Sequence, residues 1–189
     1  MISSKNLVFF INPPKYLSVL ITYTVAADVL PIFEKHFPKD LRPRKAVEAS
    51  KMYLDGYAVD ADAAYVAYAA YAAYVAVYAA YVAADTAYAA YAANVAYYAA
   101  NVAYCAAYAT VNDIADYTAY AVYYAALASS EEHILNLILS LLPQMIDYAV
   151  ENQIKLFTGS GDFSEIFEML TDEQKKLVIY NMNVIGSWK

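Results

Sequence analysis

Positive charge is missing from more than half of this sequence. No Lys or Arg lies between Met52 and Ile154, whereas ten Asp or Glu residues do. The first 51 residues have the opposite balance, with eight Lys or Arg against four acids. Binding to a nucleic-acid backbone needs clustered Lys and Arg. We therefore expect the acidic middle of the chain to have no nucleic-acid partner.

Turn-forming residues and cysteine are also scarce. The chain has four glycines and six prolines, and none of them lies between Gly56 and Pro143. That interval therefore lacks the residues that most often end a helix. Cys105 is the only cysteine, so an intrachain disulfide and a thiolate metal cluster are excluded. A single cysteine suits a reducing cytoplasm, and its alanine-rich surroundings predict a buried, unreactive thiol.

Residues that could form a reaction centre are few. His36 and His133 are the only histidines and lie far apart in the sequence. Apart from Glu34 and Asp40 near the first histidine, neither has ligands at metal-binding spacing, so we predict two surface histidines. The Gly-Ser-Gly of residues 159–161 lacks the rest of a phosphate-binding loop. We expect no enzyme activity, no cofactor and no metal.

Helical periodicity is what the sequence offers instead. Residues 15–37 have apolar side chains at helical spacing, and Pro31 predicts a break or kink near their end. Residues 41–54 form the next predicted helix, with Asp40 as a capping residue, Pro43 in the first turn and Gly56 after the last. Both segments belong to the basic first part of the chain.

The last part of the chain contains two helix-start patterns. Ser129 and Glu132 have the spacing of a capping box, and they precede a strongly apolar helix that Pro143 interrupts. Thr171 and Gln174 form a second capping pair. No convincing strand alternation follows the first dozen residues.

These patterns predict an all-α fold of about six to eight helices in one domain, residues 1–189. Its parts are the basic N-terminal helices of residues 1–56, an alanine- and tyrosine-rich helical core of residues 57–128, and C-terminal helices of residues 129–189.

The alanine-rich segment presents one polar and aromatic stripe. Alanine is the best helix former, and on a helix the stripe falls within an arc of about 100°. Its members are Tyr71, Tyr74, Tyr78, Tyr81, Asp85 and Tyr88. A membrane span would have Tyr only at its two ends, so we expect no membrane partner. Tyrosine is favoured at protein interfaces, which makes the stripe a candidate binding surface.

A heptad follows the stripe. Residues 93–106 read ANVAYYA and then ANVAYCA, a repeat that suits close pairing of helices. The repeat supports an alternative function, that of a self-associating architectural protein or a virus- or phage-encoded accessory protein.

The densest group of charged residues reads KDLRPRKAVEASK. Arg44 and Glu48 lie one helical turn apart, and Arg42 lies in the first turn, where a cation opposes the helix dipole. Two interpretations stay open. In the first, the arginines are neutralised within the chain by Asp28, Glu34 or an acid of the tyrosine-rich helices. In the second, the group binds an acidic partner or an anion.

The same charged residues belong to a longer motif. It has a Leu-Phe-Glu stretch, then Asp-x-Arg-Pro-Arg, a glutamate one turn later and a glycine, at Leu30, Phe33, Glu34, Asp40, Arg42, Pro43, Arg44, Glu48 and Gly56. Together with the alanine-rich helices after it, this motif resembles the fifth-type-like immunity proteins attributed to bacterial polymorphic-toxin systems. The likeness covers residues 26–128. This chain departs from the family in having Asp113 and Tyr117 where a histidine-containing stretch is expected.

The resemblance implies a small non-enzymatic protein that neutralises a toxin by direct binding. We expect it to be cytoplasmic, with a protein as its partner. The predicted binding residues are Asp40, Arg42, Arg44, Glu48 and the tyrosine stripe. The opposite charges of the first two parts of the chain also predict that the helix of residues 41–54 docks on the alanine-rich segment, through Val47, Met52 and Leu54.

Overall fold

The computed structural model describes residues 3–57, 98, 105–106, 115–154, 156–157, 164, 167–168 and 170–186. All regular secondary structure within these ranges is helical, which confirms the predicted all-α fold. The helices are α1 (Ser4–Ile11), α2 (Lys15–His36), α3 (Arg42–Leu54), α4 (Ala115–Ala128), α5 (Glu131–Ser140), α6 (Leu142–Glu151) and α7 (Asp172–Gly186).

Helix α2 lies at the centre of the described core. It packs against α3, α4 and α5, while α1 lies on α4 and α5, and α7 lies on α6. Half of the helix is buried, at Leu17, Ser18, Val19, Leu20, Ile21, Thr22, Val25, Ala26, Val29, Leu30 and Phe33. A helix with neighbours on several sides needs apolar residues around most of its circumference.

Two buried hydroxyls of α2 are satisfied by backbone carbonyls a few residues earlier in the chain. Ser18 Oγ donates to the carbonyl of Pro13 at 3.0 Å, and Thr22 Oγ1 donates to the carbonyl of Ser18 at 2.9 Å. Buried polar groups are costly unless they form such hydrogen bonds. The core therefore accommodates these side chains without a polar partner from another helix.

Pro31 does not break α2, so of the predicted break or kink the break is absent. The helix is continuous from Lys15 to His36. Proline has no N–H, so the carbonyl of Ala27, four residues earlier, loses its helical donor. Both residues are exposed, which leaves that carbonyl accessible to water.

The ends of α3 follow the predicted signals closely. Asp40 Oδ1 accepts a hydrogen bond from the N–H of Arg42 at 3.1 Å, at the start of the helix. After the last turn, the N–H of Gly56 donates to the carbonyl of Tyr53 at 3.0 Å. Gly56 has a φ of 86°, a conformation that favours glycine.

The capping prediction for α5 is wrong by one residue, and that for α7 is confirmed. Ser130, not Ser129, caps α5, where its Oγ accepts a hydrogen bond from the N–H of His133 at 3.2 Å. At α7, the N–H of Thr171 donates to Gln174 Oε1 at 3.0 Å, and the N–H of Gln174 donates back to Thr171 Oγ1 at 3.2 Å.

Two helical stretches are long and apolar enough to cross a membrane when length and composition alone are considered. They are Lys15–His36 and Glu131–Glu151, whose most apolar windows are 61% and 44% buried within the protein. Both stretches contribute to the shared core, for example through Ile21 and Ile138. Core helices of globular proteins have the same length and composition, so this finding does not assign the chain to a membrane.

Helix α3 docks on α2. Of the residues predicted to dock on the alanine-rich segment, Val47 is buried and Leu54 packs against the core, but Met52 is 47% exposed and does not contribute. Met52 lies five residues after Val47, a spacing that places it on another side of the helix. Most of the alanine-rich segment lies outside the described residues, and its described end, α4, packs on α2.

Candidate functional site

The charged motif begins with an ion pair inside its own turn. Arg42 donates to both carboxylate oxygens of Asp40, from Nε at 2.8 Å and from Nη2 at 2.5 Å. This side-chain hydrogen bonding lowers the pKa of Asp40 and raises the pKa of Arg42. Arg42 is thereby neutralised at the helix end where a cation is unfavourable.

A second ion pair joins α2 to α3. Arg44 donates to Glu34, from Nε to Oε1 at 2.7 Å and from Nη2 to Oε2 at 2.6 Å. The side-chain hydrogen bond raises the pKa of Arg44, and the charge of Glu48 acts in the same direction with a smaller effect. The two-point contact fixes the first turn of α3 against the last turns of α2.

The two open interpretations of the arginines can now be compared. Both arginines are neutralised within the chain, Arg44 by Glu34, which the sequence suggested, and Arg42 by Asp40. Asp28, the other suggested acid, instead accepts a hydrogen bond from His133 Nε2 at 2.9 Å. The arginines therefore have internal partners, and the side chain of Arg44 remains exposed.

A groove of about 260 Å³ lies between α2 and α3. The residues that line it are Tyr23, Ala27, Leu30, Pro31, Glu34, Arg44, Val47, Glu48 and Lys51. Its floor is apolar, and its rim alternates two carboxylates with two cations. We call it the α2–α3 groove.

Ion pairs hold the side chains at both ends of the groove rim. Arg44 is held by Glu34 at one end, and Lys51 Nζ forms an ion pair with Asp55 at 2.6 Å at the other. The hydrogen bond to Asp55 raises the pKa of Lys51. Glu48 lies between these pairs on the same face of α3, and its carboxylate is exposed. Exposed ion pairs contribute little net stability. A partner can therefore replace them with its own contacts to the same side chains at little cost in stability.

The structure brings part of the predicted site together. Arg44 and Glu48 line the α2–α3 groove, and the pair of Asp40 and Arg42 lies at the start of the same helix. The stripe residues Tyr71, Tyr74, Tyr78, Tyr81, Asp85 and Tyr88 lie outside the described residues.

Sequence reasoning missed other groove residues, although their spacing carried a signal. Lys51 lies seven residues after Arg44 and three after Glu48, so the three share one face of α3. On α2, Tyr23 and Ala27 precede Glu34 by eleven and seven residues and line the same groove.

His133 and Cys105, two further candidate groups, lie where the sequence predicts. His133 is exposed. Cys105 is 2% exposed, and burial raises its pKa to about 12, which confirms the predicted unreactive thiol. Within the described ranges, no three His, Cys, Asp or Glu side chains are grouped as a metal site would require.

Comparison with family models, curated proteins and solved structures found no match. The likeness to immunity proteins therefore still rests on the motif between Leu30 and Gly56. At the level of fold and site, the described residues define an all-α protein with a charged groove between two packed helices.

Proposed function

We propose that this chain is a cytoplasmic, non-enzymatic binding protein of the immunity type that neutralises a protein toxin by direct binding. The observation that carries the proposal is the α2–α3 groove. Four residues of the family-like motif line this groove, namely Leu30, Glu34, Arg44 and Glu48, and Glu34 orients the arginine. The groove thus combines an apolar floor with exposed charges, as protein interfaces do.

The electrostatics of the motif support binding over catalysis. A general acid or base needs a pKa near the working pH, and the hydrogen bonds from Arg42 shift the pKa of Asp40 away from that range. Arg44 has both of its described hydrogen bonds directed at Glu34. Side chains in such bidentate pairs are well placed to fix the shape of a surface.

The net charge of the whole chain favours a basic partner, whereas the groove rim itself is balanced, with two carboxylates and two cations. The whole chain has a formal net charge of −7, and the exposed Glu48 carboxylate lies at the middle of the groove rim. Charge complementarity of this kind raises association rates and selects against acidic partners. A toxin with a basic surface would therefore be drawn to the protein, and its cations could bind Glu48 directly.

Co-expression tests the proposal. Each gene that neighbours this one is expressed alone, with the wild-type chain, or with the Glu48→Lys variant, and a gene that is toxic when expressed alone is taken as the candidate toxin. Glu151→Lys, a matched charge reversal at an exposed glutamate of α6, serves as the control. We expect the wild-type chain and the control to restore growth, and Glu48→Lys to lose protection. A wild-type chain that neither binds nor suppresses any neighbouring gene product would contradict the immunity function.

A further inference from the structure

A second surface, formed by α1 and α4, surrounds one ammonium group with three aromatic rings. Lys5 Nζ lies 5.5 Å from the ring centroids of Tyr120 and Tyr123 and 5.9 Å from that of Phe9. Lys5 and Phe9 are one turn apart on α1, and the two tyrosines are neighbours on one face of α4. We call Phe9, Tyr120 and Tyr123 the aromatic patch.

The aromatic patch is open to a partner. Phe9 is 41% exposed, Tyr120 48% and Tyr123 43%. Leu127, also exposed, extends the same face of α4 by one turn. Several large apolar side chains exposed side by side are typical of interaction surfaces.

One ring of the patch is held in place from behind. Tyr123 contacts Tyr124 edge to face, with 5.4 Å between the ring centroids, and Tyr124 stacks on Tyr98 at 5.9 Å. A ring that is already ordered loses little conformational entropy when a ligand binds. Tyr123 is therefore organised before any partner arrives.

We infer that the aromatic patch binds a lysine or arginine side chain of a protein partner, and that Lys5 occupies this position in the unbound protein. The Lys5 ammonium stands for the partner's cation, since all three rings lie within the distance at which ring faces attract a positive charge. The inference rests on the proposed binding function and adds the chemistry of the partner.

A basic partner fits this surface better than a second copy of the chain does. Pairing of two copies through the same patch would bring two Lys5 ammonium groups together, and each copy has a net charge of −7. A basic partner is instead attracted by that net charge. Glu131 adds a carboxylate beside α1, where it accepts a hydrogen bond from the N–H of Ser4.

Titration with tetramethylammonium chloride tests the cation site without any partner. The aromatic resonances of Phe9, Tyr120 and Tyr123 are followed by NMR in the wild-type chain and in Lys5→Met, which removes the competing ammonium and keeps most of the side chain. Uncharged tert-butanol is the control for shape, and sodium chloride is the control for ionic strength. We expect saturable shifts with tetramethylammonium alone, and roughly two- to fivefold tighter binding in Lys5→Met.

A peptide pair extends the test to a natural side chain. Tri-arginine is compared with tri-citrulline, which has nearly the same shape and no charge. Tri-arginine should bind Lys5→Met more tightly than wild type, and the added change Tyr123→Leu should abolish this gain. Equal responses to tetramethylammonium and tert-butanol, or a gain that survives Tyr123→Leu, would overturn the inference.

The outcomes separate the cation site from the immunity function. Cation binding without toxin suppression would support the cation site and contradict the immunity function. Toxin suppression without cation binding would support the immunity function and contradict the cation site. A concentration-dependent dimer of the wild-type chain that Tyr123→Leu abolishes would assign the patch to a second copy and contradict the inference.

Discussion

Arg44 and Glu34, ten residues apart in the sequence, form a two-point ion pair that joins the start of α3 to the end of α2. The pair is exposed on the arginine side, and it forms part of the α2–α3 groove rim. The residues that a partner would contact thus also join the two helices. Substitutions at this pair can therefore be tested separately for their effect on binding and for their effect on stability.

Arg44→Gln should change the melting temperature by no more than about 2 °C, because exposed ion pairs contribute little net stability. Toxin binding should nevertheless weaken, since the variant removes the guanidinium that holds Glu34 in place on the groove rim. Thermal unfolding followed by circular dichroism measures the first effect, and titration calorimetry measures the second. Lys176→Gln, an equal loss of charge on α7, is the control. A variant that melts far below the control would show that the pair is mainly structural.

Asp40 should make the protein less stable in acid. Its pKa is lowered from the ordinary 3.8 in the folded chain, chiefly by the hydrogen bond from Arg42. The contribution to stability is therefore present above the unfolded pKa, and it is lost as the pH falls through the folded pKa. Asp40→Asn keeps an acceptor for the N–H of Arg42 but removes the charge.

The test compares wild type and Asp40→Asn from pH 7 to pH 2. Their difference in melting temperature should be largest at neutral pH and should vanish at the acid end. Asp147→Asn, at an exposed position of α6, is the matched control. A difference between wild type and Asp40→Asn that persists unchanged to pH 2 would exclude the charged pair as its cause.

The limits of prediction from sequence are clear at the helix ends. The boundaries of α3 were predictable because Asp40 and Gly56 act locally. The cap of α5 was not, since Ser129 and Ser130 both have a capping hydroxyl. The choice depends on α4, whose last turn extends far enough for the N–H of Ser129 to donate to the carbonyl of Ala125. Ser130 is then the first residue able to start the next helix.

The ion pairs also differ in how far the sequence could predict them. The sequence left open whether an acid of the chain neutralises Arg44, and the choice among Asp28, Glu34 and the acids of the tyrosine-rich helices required the packing of three helices. His133 reaches Asp28 from α5, and α3 places Arg44 beside Glu34. The aromatic patch was also hidden, because its rings come from segments more than a hundred residues apart.

Phe33 should be among the most important residues of the core. It is fully buried in α2 and contacts the ring of Phe37, with 5.3 Å between the centroids. Phe33→Ala should lower the free energy of unfolding by about 3–5 kcal/mol. Leu41→Ala, at a residue that is 52% exposed, should change it by no more than about 0.5 kcal/mol. Urea denaturation measures both, and similar losses in the two variants would contradict the described core.

Cys105 should report global unfolding. It is 2% exposed, and burial raises the pKa of its thiol to about 12. The thiolate is the reactive form, so at pH 8 the folded protein offers a reagent neither access nor a nucleophile. Reaction with a disulfide reagent should therefore be limited by unfolding, and denaturant should accelerate it by about a thousandfold or more. Phe33→Ala should accelerate the reaction, whereas Leu41→Ala should not. Rapid labelling of the native wild-type chain would show that the thiol is accessible, and would contradict the burial of this part of the alanine-rich segment.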